Sequence, residues 1–290
     1  MKEKTHDMTD DFGVNDHIVI CNWSHKAELL IKQLHDPSLE KRSPIIIITE
    51  TPDLVPDFDA DDTFRGIMIV KGNPTHEETL FRAGIDSAKT VIILSDRSQG
   101  EYRSSDTKTI MTAIAIDHIV PNVHVVAEVL LSENVPYFNY TFVNEIICLE
   151  LLTERLLAQS CLTPGVSFIF KDLLTQSSDT NEIYVEPIPS KYVGKTYQEL
   201  RSDICNTEEM DIILIGLSTF TERRNSAGEK ILNFKGDSII EKSLIINPKI
   251  PLSNKEVYSR EYILQAKDKV FVIAYSRPDL EKILVKSKIV

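Results

Sequence analysis

Cysteine is scarce. Cys21, Cys148, Cys161 and Cys205 are the only 4 among 290 residues. None forms a C-x-x-C pair and no histidine stands at zinc-ligand spacing, which argues against a disulfide framework or structural zinc and for a reducing compartment. Long apolar runs are also missing. The runs present, such as Ile45 to Ile48 and Val91 to Leu94, are strand-length and far short of the roughly 20 residues a membrane helix needs. Met1 to Asp16 is polar without an apolar h-region, so it reads as a tether rather than a signal peptide or anchor. With 10 Gly and 13 Pro, the chain is not repeat-rich or disordered in composition. Basic charge is in deficit. Against 44 acidic residues stand 32 basic ones, a net charge of −12 that would repel a phosphate backbone, so no nucleic acid is expected as partner. Catalytic signatures are absent too: the 7 histidines fall in no nucleophile or metal motif, and neither G-x-S-x-G nor a P-loop occurs. No enzyme is expected.

What is present is an alternation of short β-branched runs with amphipathic stretches, the pattern of a parallel sheet wrapped by helices. The runs Ile18 to Cys21, Ile45 to Thr49, Ile67 to Lys71, Thr90 to Leu94 and His124 to Val129 predict five parallel strands buried on both faces. Helical periods fall on Lys26 to Leu34, Glu77 to Ala83 and Asp106 to Ile119. Asn144 to Ser160 reads as one long helix, with apolar residues on more than one side, suited to pairing with a second copy. The polar stretch Gln176 to Asn181 is the best linker. Beyond it the pattern turns strand-rich, with strands at Ile183 to Pro187, Ile212 to Leu217, Ser243 to Ile246 and Lys269 to Tyr275. One helical piece is expected at Tyr197 to Ser202 and a hairpin turn at Asn225 to Gly228.

The first strand runs into Asn22, Trp23, Ser24, His25, Lys26 and Ala27 and then a helix. This is the place of a G-x-G-x-x-G nucleotide loop, but the glycines are missing. Asn22 tolerates the left-handed conformation such a turn needs, and the helix N-terminus at Ser24 to Lys26 offers its amides to an anion. Glu50, ending the second strand, stands where an acidic side chain would accept ribose hydroxyls. Asn73 and Ser95, after the third and fourth strands, complete the candidate contacts to an adenine nucleotide or NAD(H).

Three strings, HIVICNWSHKAELLIKQL from His17, KGNPTHEETLFRAGIDSAKTVIILSD from Lys71 and VVAE from Val125, together resemble the domains that regulate potassium conductance (RCK domains). The resemblance is strongest to those of prokaryotic calcium-gated potassium channels. Val193, Gly194, Lys195, Thr196, Leu200 and AKDKVFVIA from Ala266 are similar to the family's C-terminal subdomain. The resemblance implies an α/β fold: a Rossmann-like lobe at 17–140 after a tether at 1–16, crossover and dimerisation helices with a linker at 141–181, a small α+β lobe at 182–276, and a tail at 277–290. It implies paired copies that assemble into a gating ring beneath a potassium channel pore, on the cytoplasmic face of the membrane. A freestanding regulatory subunit of a Trk-type transporter is the alternative, and an NAD-dependent oxidoreductase a remote one. In the family a divalent cation, Ca²⁺, is held by carboxylates that match Asp106 and Glu128 here. A further family glutamate is replaced by Leu130, with Glu101 and Glu133 nearby in sequence.

Overall fold

The computed structural model describes residues 12–37, 39, 41–56, 64–96, 102–175, 177, 179–207, 211–222, 229–230, 240–247 and 262–286. The turn expected at 225–228, Glu101 and residues 1–11 lie outside the described residues. The chain divides into two compact units, Met1–Phe168 and Ile169–Val290, and the division falls ahead of the polar 176–181 segment.

The first unit is a parallel sheet with helical crossovers. Its strands are β1 (Ile18–Cys21), β2 (Ile45–Thr49), β3 (Ile67–Lys71), β4 (Thr90–Ile93), β5 (His124–Val129) and β6 (Glu145–Cys148), in the order β3-β2-β1-β4-β5-β6. Helices α1 (His25–Leu34), α2 (Glu77–Arg82) and α3 (Tyr102–Ile119) connect them. The side chains of Ile45, Ile46, Ile47 and Ile48 are all fully buried. Ile46 and Ile48 join the cluster containing Leu80, Ala113 and Ile116 of α2 and α3, whereas Ile45 and Ile47 join Ala27 and Ile31 of α1. Strand periodicity therefore splits one apolar run between two cores, and each buried isoleucine contributes about 1.5–3 kcal/mol. The end of the N-terminal segment is tied in: Phe12 and Val14 pack on the first cluster, and the Asp16 amide donates to Ser87 O at 3.1 Å.

Several elements differ from expectation. The sheet has six strands, because Glu145–Cys148, expected as helix, pairs in parallel with β5 from Val126↔Glu145 to Val129↔Cys148. The adjacent β-branched Ile146 and Ile147 favour extended backbone. Asn144 fixes the register, accepting the Val125 amide on its Oδ1 at 2.7 Å and donating its own amide to Val125 O at 3.0 Å. The helix, α4, is confined to Leu149–Leu162 and has no buried residue; α5 (Val166–Leu173), also without one, follows it. Helix α3 begins at Tyr102, so Asp106 lies a turn inside it rather than at its start.

The second unit is a four-stranded antiparallel sheet, ordered β7 (Glu182–Pro187), β10 (Lys269–Ala274), β8 (Ile213–Glu222) and β9 (Ile240–Ile246). Helix α6 (Tyr197–Cys205) opens with a capping box in which Thr196 Oγ1 accepts from the Glu199 amide and the Glu199 carboxylate from the Thr196 amide. Residues expected within a tail instead form α7 (Leu280–Lys286), whose Leu280 and Leu284 join Tyr192, Leu200, Leu217 and Val270 in a separate core. No helix among the described residues is long and apolar enough to cross a membrane.

Candidate functional site

In the observed strand order, successive strands run outward in opposite directions from β1 and β4. A crevice at the carboxyl ends of such a pair is the binding place that parallel α/β sheets provide.

Asn22 leaves β1 with φ at 71°, the left-handed conformation its sequence position calls for. Its amide donates to Ile48 O and its Nδ2 to Leu94 O, both at 2.8 Å, so one residue ties β1 to both neighbouring strands. Alanine here is expected to cost about 1–2 kcal/mol, from the strained backbone and the unmet Leu94 carbonyl. Glycine, which accepts the backbone angle, is expected to cost less; urea unfolding of both variants measures the difference.

Trp23 is partly buried against the cluster of Ile20, Ala27 and Ile31, a packing role. Ser24 is the N-cap of α1, with extended backbone and no side-chain bond to the first-turn amides. Its Oγ is buried without a hydrogen-bond partner. An uncapped helix start with an orphan hydroxyl suits an anion. Burial pushes the neighbouring Cys21 thiol up to about 12, which rules it out as a thiolate nucleophile at neutral pH.

Lys26, on the first turn of α1, forms an ion pair with Glu128 Oε1 at the end of β5. The second carboxylate oxygen of Glu128 accepts the Ser95 amide at 3.1 Å, and Ser95 Oγ donates to the Glu128 carbonyl at 3.0 Å. Lys108 of α3 reaches Asp96 Oδ2 at 3.0 Å and Glu50 Oε2 at 3.9 Å, with Glu50 half exposed beyond β2. Asn22, Lys26, Ser95 and Glu128 are thus linked across the ends of β1, β4 and β5, and Glu50 is joined to the end of β4 through Lys108.

Two candidates are engaged elsewhere. Asn73 Oδ1 accepts from the Thr75 amide at 2.9 Å and Thr75 Oγ1 at 2.8 Å, building the turn into α2. Asp106, with no exposed surface, accepts the Leu130 amide at 2.9 Å on Oδ1, and the Leu131 amide at 3.0 Å and Asn134 Nδ2 at 2.8 Å on Oδ2. Ca²⁺ takes six to eight oxygen ligands. Here the Asp106 oxygens face N–H donors, and Glu128 faces an ammonium and an amide. Among the described residues no group of three or more His, Cys, Asp or Glu gathers to hold a metal. This donor set does not fit a resident Ca²⁺.

Lys26, Asp96 and Lys108 do not stand out from sequence alone. One signal was available for Lys26: a basic side chain on a helix's first turn opposes the dipole, and so calls for an anionic partner.

Residues 13–127 match the family described as the calcium-activated potassium channel slowpoke-like RCK domain. Over these residues the first lobe is similar to an RCK domain. The calcium-gated potassium channel TvoK of Thermoplasma volcanium is 28% identical over 196 residues, covering 66% of this chain and 53% of TvoK. Potassium channel subfamily T member 1 of Mus musculus is 25% identical over 172 residues, covering 56% of this chain and 14% of that protein. These relatives are channels and not enzymes. The human SLO3 gating ring matches with a TM-score of 0.63 at 18% identity, over 93% of this chain and 46% of that one, a likeness of fold. The chain thus spans about half of TvoK and a small part of the mammalian channel.

Proposed function

We propose that this chain is the cytosolic regulatory part of a potassium channel. In this reading copies pair through α4 and α5, assemble into a ring on the inner face of the membrane, and bias the pore when a nucleotide binds at the start of α1. The channel context rests on the RCK match and on two relatives that are both potassium channels, which favours a channel over a transporter subunit. Pairing is supported by exposed apolar residues on helices with no buried side chain: Leu157 at 64%, Leu162 at 79% and Phe168 at 75%.

The observation that carries the ligand reading is Ser24. It leaves the amides at the start of α1 without a side-chain cap and its own hydroxyl without a partner, at the crevice between β1 and β4. A phosphate of an adenine nucleotide or NAD(H) would answer both needs, with Glu50, just beyond β2, as the candidate acceptor for the ribose hydroxyls. Asp106 and Glu128 serve the scaffold of this site rather than a metal.

Aspartate at position 24 would act as a tethered anion, capping α1 and filling the phosphate position. Thermal unfolding of the wild type with ADP, ATP or NADH added singly is expected to show a raised Tm with at least one of them. In Ser24→Asp the basal Tm is expected to rise slightly and the nucleotide response to vanish. A wild type that responds to none of the three would sink the ligand reading. So would a Ser24→Asp variant that responds fully.

A further inference from the structure

The carboxylates Glu50, Asp96, Asp106 and Glu128, all at or near the carboxyl edge of the parallel sheet, are each answered from within the chain. Lys26 reaches Glu128, Lys108 reaches Asp96 at 3.0 Å and Glu50 at 3.9 Å, and Asp106 accepts three N–H donors. An edge so supplied has little left to offer a metal ion.

Lys26 and Glu128 each need the other. On the first turn of α1 an ammonium meets the positive end of the helix dipole, an unfavourable place unless an anion is close. The Glu128 side chain is only 9% exposed, and a buried carboxylate without a cation is strongly destabilising. One ion pair between residues 102 positions apart meets both requirements.

We infer that Lys26 determines the ligand specificity of this edge: its ammonium takes, beside Glu128, the place a divalent cation would occupy. The edge therefore excludes Ca²⁺ and is left to anionic ligands. The second half rests on the nucleotide reading above; the exclusion of Ca²⁺ does not.

The test is thermal unfolding of the full chain without nucleotide, in chelator and in millimolar Ca²⁺. The wild-type Tm is expected not to move. Lys26→Met keeps the length of the side chain and removes its charge. Its Tm is expected to fall in chelator and to recover with Ca²⁺, and adding Glu128→Gln to it is expected to abolish that recovery. Should Lys26→Met fail to fold, Lys26→Gln, which can still donate a hydrogen bond to Glu128, carries the same test.

A wild-type Tm that rises with Ca²⁺ and no longer does so in Glu128→Gln overturns the inference. So does a Lys26 variant that folds and ignores Ca²⁺. A wild-type rise that persists undiminished in Glu128→Gln comes from another part of the chain and leaves the exclusion standing. Because no nucleotide is present, these outcomes are independent of the Ser24 experiment.

Discussion

Asp106→Ala is expected to lower the stability of the first lobe by about 3–5 kcal/mol, because it strands three donors at once and each buried unmet polar group costs about 1–3 kcal/mol. Those donors are the amides of Leu130 and Leu131 and the side chain of Asn134, the segment that follows β5. Leu130 is buried, so water cannot replace its lost acceptor, whereas Leu131 and Asn134 are half-buried and recover part of theirs. Against a typical stability of about 5–15 kcal/mol, this is a large fraction. Asp106→Asn keeps one acceptor oxygen and is expected to cost less. Urea unfolding in chelator and in Ca²⁺ separates the scaffold role from a metal role. The loss should be the same in both, whereas a loss seen only with Ca²⁺ present would make Asp106 a metal ligand.

The second large effect concerns assembly. Leu157→Glu with Leu162→Glu is expected to convert a self-associating chain into a monomer of 32.9 kDa with unchanged secondary structure. Leu157 and Leu162 lie on α4, which buries none of its residues within the described chain. Burying a leucine at an interface contributes about 1.5–3 kcal/mol, and a symmetric pair loses two from each copy, so the change removes about 6 kcal/mol at the lower end. That corresponds to about ten-thousandfold or more weaker association. Sedimentation equilibrium of the two proteins reads the change. A wild type that is monomeric at all concentrations would contradict pairing through this surface.

The parts of the fold that were legible in the sequence are those where a local pattern has one physical reading. The run Ile45 to Ile48 can be buried on every residue only as a central strand, and β2 has the bounds the run suggests. Asn22 was legible because few residues other than glycine enter the left-handed region at low cost, and the turn after β1 requires it. Glu145–Cys148 was not legible. Four residues are too few to show a period, the strand pairs with β5 alone, and the helical residues after it extend their pattern back over it. Leu280, Ile283 and Leu284 have helical spacing, yet only the core they enter distinguishes α7 from a polar-rich tail.

The candidate site divides in the same way. Residues tied to strand ends, such as Ser24 and Ser95, could be placed by counting from the strands. Their partners could not. The pairing of Lys26 with Glu128 and of Lys108 with Asp96 depends on which strands lie side by side, and weighing the metal reading of Asp106 and Glu128 requires knowing that N–H donors and an ammonium face them. A carboxylate looks alike in sequence whether it holds an ion or a backbone turn.

Calorimetric titration of the wild-type chain with ADP, ATP and NADH in turn and, separately, with Ca²⁺ decides between an anion site and a metal site at this edge. Saturable heat is expected for at least one of the three nucleotides and is expected to disappear in Ser24→Asp, with no heat of binding at this edge for Ca²⁺. Binding of Ca²⁺ that depends on Asp106 and Glu128, with no binding of any of the three nucleotides, would overturn the anion-site reading.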